Sequence, residues 1–300
     1  MSLPDAVAAP TGLSGVGFNA LTIYPNATAV IKGGTYDARH IVALGSDIYA
    51  GAYGLFVDTD ATATVCDAEL IKGGADIYEG LEPGGKGAVY VASGATLNIA
   101  GGVIEGGRGF PSTERSGLGA GIFASYQGPE TNNLVITGGK ILGGPYPDGD
   151  RASAIFMGGP VTVDVFSGQI GNEHASEVVT LEIGYDGLLG ETDGILNIYG
   201  GEWPKGSQMS ANGYNGGQAF VNIFGPDLQK TAIPMPSSMG DDVEGYLCDG
   251  SYFHQQLFGD YTLTLSNDCF DYFAQPSFPV CGKSGKSGKS SKSSEGSHAP

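Results

Sequence analysis

Apolar and polar positions alternate in short runs along most of this chain, and many runs end in glycine. The phrase apolar-x-apolar-x-Gly-Gly-x-apolar recurs, with small departures, in AVIKGGTY (29–36), LNIAGGVI (97–104), LVITGGKI (134–141), VDVFSGQI (163–170), LNIYGGEW (196–203) and VNIFGPDL (221–228). TVCDAELI (64–71) aligns with these rows without gaps, although it lacks the glycine pair. Period two predicts a strand with alternate residues turned inward, and the glycines predict a corner at positive φ. The third position of each row forms an anchor column: Ile31, Cys66, Ile99, Ile136, Val165, Ile198 and Ile223. Five residues on, Tyr36, Ile71, Ile104, Ile141, Ile170, Trp203 and Leu228 form a second apolar column. Anchors recur every 32 residues on average. A unit of that length buries little alone and must stack on its copies. The pattern therefore predicts an all-β parallel solenoid of about seven turns over residues 21–230, after a lead-in at 1–20.

A further set of strands precedes the anchors: GLFVD (54–58), AVYVA (88–92), GIFAS (121–125), AIFMG (154–158) and TLEIG (180–184). Aliphatic residues flank a central column of Phe56, Tyr90, Phe123, Phe156 and Glu182. Strict alternation sends the aliphatic pairs one way and this column the other. Glu182 sets the direction, because an unpaired buried carboxylate is very costly. The aromatic column is expected to point outward. Two readings follow. Phe56, Tyr90, Phe123 and Phe156 form an exposed binding stripe, or a loop or the C-terminal segment covers them as ordinary core.

These rows resemble those of right-handed, single-stranded parallel β-helices, the pectin-lyase-like fold. The resemblance spans roughly residues 21–230. Rows such as LNIYGG and VNIFG, and the Asp-Gly turn in GYLCDGSYF (245–253), are also similar to those of adhesin-like bacterial and algal surface solenoids. The resemblance implies a cell-surface or extracellular protein that binds polysaccharide or matrix, or mediates adhesion. It also implies an alternative, a polysaccharide lyase or glycoside hydrolase.

Composition narrows the classes. Glycine contributes 52 of 300 residues without the three-residue period of collagen. The Val, Ile, Tyr and Phe content is too high for a disordered chain. With 32 acidic and 14 basic side chains the net charge is −18, which argues against nucleic acid as partner. No apolar run is long enough for a transmembrane helix. MSLPDAVAAP lacks the pattern of a signal peptide. Residues 231–281 break the repeat and read as a cap, with a hairpin turn at Cys248-Asp249-Gly250 and an edge strand at YTLTL (261–265). A disulfide among Cys248, Cys269 and Cys281 is expected to hold this cap, with one cysteine left over and the pairing open. Cys66, at an anchor, reads as a buried core thiol. Asn26-Ala27-Thr28 is a glycosylation sequon. Cysteine usage and the few lysines favour an extracellular or cell-surface setting. The Gly/Lys/Ser tail, 282–300, carries +3 and leaves the body at −21. It is expected to be disordered and suits contact with an anionic surface. It is similar to Lys/Ser-rich segments of silica-associated diatom proteins.

Signals for catalysis are sparse. The Gly-His-Gly that polygalacturonase-type hydrolases share is absent, and the one Asp-Asp, Asp241-Asp242, lies in the cap. The best acid-and-arginine set is Arg115, Arg151, Asp148 and Asp150, with Glu114, in loops after the Ile99 and Ile136 rows. Such pairs would suit β-elimination or glycoside cleavage, but solvated loops carry the same residues routinely. No cofactor is implied. No metal site has ligand spacing, and only weak Ca²⁺ binding by acidic loops is left open. Ice binding needs a regular threonine array. The outward position before each anchor reads Val, Val, Asn, Val, Asp, Asn, Asn, which is not one. A purely structural assembly protein is the third reading.

Overall fold

The computed structural model describes residues 19–38, 53–74, 87–107, 119–124, 130–145, 151–172, 177–183, 193–214, 216–234 and 239–281. The fold is all-β, and most strand pairs are parallel. Strands of successive coils lie side by side in two sheets, one of ten strands and one of eleven. The sequence pointed to a single-stranded helix. What is observed is two sheets, with coils joining them in alternation.

The first sheet stacks Leu21–Ile23, Leu55–Val57, Val89–Val91, Ile122–Ala124, Ile155–Gly158, Glu177–Ile183, Ser207–Gly213 and Tyr252–Asp260. The second stacks Thr28–Ile31, Thr62–Val65, Thr96–Ile99, Asn132–Leu142, Val161–Ile170, Asp193–Ile198, Gln218–Phe224 and Thr262–Ser266. Coils 1 to 8 are numbered in this order. A short third face, Thr35–Asp37, Ala68–Lys72 and Gly102–Glu105, continues into the ends of the coil 4 and coil 5 strands.

The stack thus runs one coil beyond the seven rows. YTLTL is the eighth strand of the second sheet, paired in parallel with Gln218–Phe224. Among the described strands, Gln229–Pro234 and Met239–Tyr246 add to the first sheet in antiparallel fashion, extending it past coil 8. The turn at Cys248-Asp249-Gly250 joins Met239–Tyr246 to Tyr252–Asp260, with Tyr246 opposite Tyr252 and Gly250 at φ 84°.

The core lies between the faces and is built from columns of like residues. Leu55, Val89, Ile122, Ile155 and Val179 form one, and Ile31, Val65, Ile99, Ile136, Val165, Ile198 and Ile223 another. The third face supplies Tyr36, Ile71, Ile104, Ile141 and Ile170, as the sequence columns anticipated. Each side chain leaves water by packing against copies of itself about 4.8 Å above and below.

Glycine corners make this close stacking feasible. In coil 3, Gly102 has φ 93°, a conformation that L side chains rarely adopt. A Cβ on the preceding Gly101 would strike the Cys66 carbonyl of coil 2. One glycine turns the chain and its neighbour lets two backbones touch.

Two alignments need correcting. Ile31 pairs with Val65, and Val65 with Ile99, so Val65 and not Cys66 is the coil 2 anchor. Ile71 keeps its predicted place because a register shift between Ala68 and Ile71 absorbs one extra residue. A one-residue slip reverses the face, so Cys66 turns outward. It is not a core thiol: it is bonded to Cys281. In coil 6, Phe156 pairs with Thr180, two residues before the Glu182 expected there. A two-residue slip preserves the face, so the inward-outward reading of that strand is unaffected.

Candidate functional site

The outer face of the first sheet carries a ladder of rings. Phe56 and Tyr90 stack at 4.7 Å and 6°, and Phe123 and Phe156 at 5.5 Å and 14°. Tyr90 and Phe123 join the two pairs at 5.9 Å and 33°. Tyr53 leans on the ladder 4.9 Å from Tyr90, and burial beside Tyr90 pushes its phenol above the usual range. The spacing follows from the coil rise, which sets successive rings one strand apart. Phe156 is buried at 2% exposure, while Phe56, Tyr90 and Phe123 are half-buried. Thr180 takes the next position, and its hydroxyl shares a 2.9 Å hydrogen bond with Ser153. Within the two stacked pairs each ring gives one face to its partner.

A second ladder, which the sequence reading missed, lies on the outer face of the second sheet. Phe166 stacks on Tyr199 at 4.8 Å and 4°, and Tyr199 on Phe224 at 4.3 Å and 13°. Each follows an anchor by one residue, and the signal was the VF, IY and IF pairs of the last three rows. Beside it runs a polar ladder. The Asn222 amide donates to Asn197 Oδ1 at 2.9 Å, and the Asn197 amide donates to Asp164 Oδ1 at 2.8 Å. Desolvation raises the Asp164 carboxyl above its ordinary pKa, the Asn197 bond opposes this, and the charge of Asp271 adds to it.

The C-terminal segment crosses this face. Cys269 is bonded to Cys248 in the cap hairpin, and Cys281 reaches Cys66 in coil 2. The leftover cysteine of the expected cap disulfide is thus paired into the body. Six coil rises are about 29 Å, within the roughly 40 Å that twelve extended residues reach. On the way, Asp271 of the short helix Phe270–Phe273 accepts a 3.5 Å hydrogen bond from the Tyr199 hydroxyl. Desolvation first, then Asp271, push the Tyr199 phenol up to about 12.

Of the catalytic candidates, only Arg151 lies among the described residues. Arg151 donates to the Gly143 carbonyl at 2.8 Å and lies 3.6 Å from Glu105, so its guanidinium holds a loop. Arg115, Glu114, Asp148 and Asp150 lie outside the described residues. Asn26 sits exposed at the first corner of coil 1 with φ 61°, matched by Asp60 at φ 56° in coil 2. Nearby, a hydrogen bond to Asp60, followed by its negative charge, raises the Glu130 carboxyl. Among the described residues no group of three or more His, Cys, Asp or Glu is placed to hold a metal ion. A shallow groove of about 420 Å³ on the third face is lined by Lys140, Gln169, Glu202, Asp249 and Ser251. Asp249 is occupied there, accepting from the Gly201 N–H at 2.7 Å and the Ser251 N–H at 2.9 Å.

Compared with family models, curated proteins and solved structures, the chain matches none of them. Its class is therefore set by architecture: an all-β protein of stacked parallel strands, closed by two disulfides, with ring ladders on two outer faces. Among the described residues no helix is long and apolar enough to cross a membrane.

Proposed function

We propose that this protein is a non-catalytic extracellular or cell-surface β-solenoid, a right-handed parallel β-helix, that binds a glycan or matrix polymer along an outer face. The observation that carries the reading is the ladder Phe56–Tyr90–Phe123–Phe156, which repeats once per coil along the stack. A polymer laid along the axis would meet similar contacts at Phe56, Tyr90 and Phe123, which are half-buried, while Phe156 closes the row from within. Ring edges carry the positive end of the aromatic quadrupole and favour the oxygens of a neutral sugar. Two disulfides suit an oxidising compartment. The net charge of −18 disfavours strongly acidic polymers.

For the lyase or hydrolase alternative, the one described candidate, Arg151, is engaged by Gly143 and Glu105. A glycan array tests the proposal. We expect binding to neutral polysaccharides and at least a tenfold loss in the Tyr90→Ala/Phe123→Ala variant, with circular dichroism verifying its fold. Absence of glycan binding, or binding that the folded variant retains, would discard the ladder as the site. Product release from a polysaccharide panel would instead restore the enzymatic alternative.

A further inference from the structure

The segment Cys269–Cys281 is held mainly by its ends. None of the residues of its helix is buried, and Phe270, Phe273 and Val280 are 72%, 79% and 47% exposed. Among the described residues, the side-chain hydrogen bond that ties it to the sheet is the 3.5 Å bond from Tyr199 to Asp271. The surface beneath differs sharply. Phe166 and Tyr199, although turned outward, are each only 5% exposed, and Thr64 and Cys66 at the far end are 6% and 9% exposed. The charges do not favour this contact. Asp271 raises the Asp164 carboxyl, and Asp271, Asp164 and Asp268 all act on the Tyr199 phenol. A weakly packed strand of chain thus lies over buried rings, with like charges on both sides, between two covalent ends.

We propose that this segment is a redox-released strap, with Cys66–Cys281 as its latch and Cys248–Cys269 as its hinge, covering the Phe166–Tyr199–Phe224 track and the adjoining Asn222–Asn197–Asp164 ladder. The opening step needs a dithiol reductant. Its thiolate attacks one sulfur of the latch and forms a mixed disulfide, and its second thiol closes on that bond. Two cysteine thiols are released and the reductant leaves as a disulfide, with two electrons and two protons transferred. The backbone into Cys269, fixed by the hinge, keeps the base of the freed segment at the cap, and repulsion between its Asp271 and Asp164 favours its leaving the face.

Hydroxyl-radical footprinting read by mass spectrometry tests this on the full chain. The Cys66→Ser/Cys281→Ser variant opens the latch and leaves the hinge intact. Mild reduction of the folded, oxidised protein, with mass spectrometry assigning which disulfide has opened, gives a second route should the variant fail to fold. We expect oxidation of Phe166 and Tyr199 to rise at least fivefold, while Phe56 and Tyr90 on the other sheet stay unchanged. Hydrogen exchange should show lost protection at the strap amides of Phe273, Ala274 and Cys281, with Thr96–Ile99 as protected as before. Phe166 and Tyr199 that stay protected with the latch open would overturn the proposal. So would loss of protection throughout the coils, since release would then be general unfolding.

Discussion

At the scale of single residues, corners and buried charges set the tolerances. Gly102 combines φ 93° with a site where a Cβ would strike the Ala68 backbone of the coil before. Gly102→Ala should therefore cost about 1–3 kcal/mol. Gly206, at φ 71° with open space around it, should lose only about 1 kcal/mol on the same change. Urea unfolding of the two variants measures the difference. Asp164 gives a pH test. Its folded pKa is raised, chiefly by desolvation, so ionisation opposes folding. As pH rises through the ordinary carboxylate pKa, the unfolded chain ionises first and stability falls until the folded pKa is passed. Asp164→Asn removes that loss and retains an oxygen for the Asn197 amide. It should gain no more than about 1 kcal/mol at neutral pH, after solvent screening, with the gain vanishing near pH 3. Thermal melts at the two pH values decide the sign.

At the scale of elements, each strand is three to eleven residues long and stable only through its neighbours. The ring ladder shows how a single column couples them. Phe56, Tyr90, Phe123 and Phe156 belong to four coils and touch in sequence. Removing Tyr90 and Phe123 together breaks every link of that column, and stacked pairs contribute about 0.5–1.5 kcal/mol each. We expect Tyr90→Ala/Phe123→Ala to lose about 1–3 kcal/mol by denaturant titration, which leaves the coils folded. A single-site change at Phe123 should cost less than the pair, because Phe56 and Tyr90 remain stacked.

At the scale of the whole molecule, the two disulfides differ in reach. Cys66–Cys281 spans 215 residues and ties coil 2 to the C-terminal segment, whereas Cys248–Cys269 spans 21. Chain entropy assigns roughly 5 kcal/mol to the long closure and about 3 kcal/mol to the short one. Replacing the long pair by serine should therefore lower the unfolding midpoint further than replacing the short pair, in denaturant titrations of the two variants. The long closure also limits end fraying, to which a stack of units in contact only with their neighbours is prone.

The chain by itself determined the stacked parallel strands, the glycine corners and the inward columns, because these are local periodicities of two and about 32 repeated along one dimension. The direction of Phe56, Tyr90, Phe123 and Phe156 was legible for the same reason. Tertiary structure decided what depends on pairing between distant segments. Cys66 fell one position off its column because an extra residue before Ile71 is invisible to an ungapped alignment, and that single step turned a core thiol into a disulfide partner. The Phe166–Tyr199–Phe224 track was written in the rows, but the burial of Phe166 and Tyr199 was not. Nor was the return of the chain from coil 8 to coil 2, a path fixed by one covalent bond between residues 215 apart and not by any repeat in the sequence.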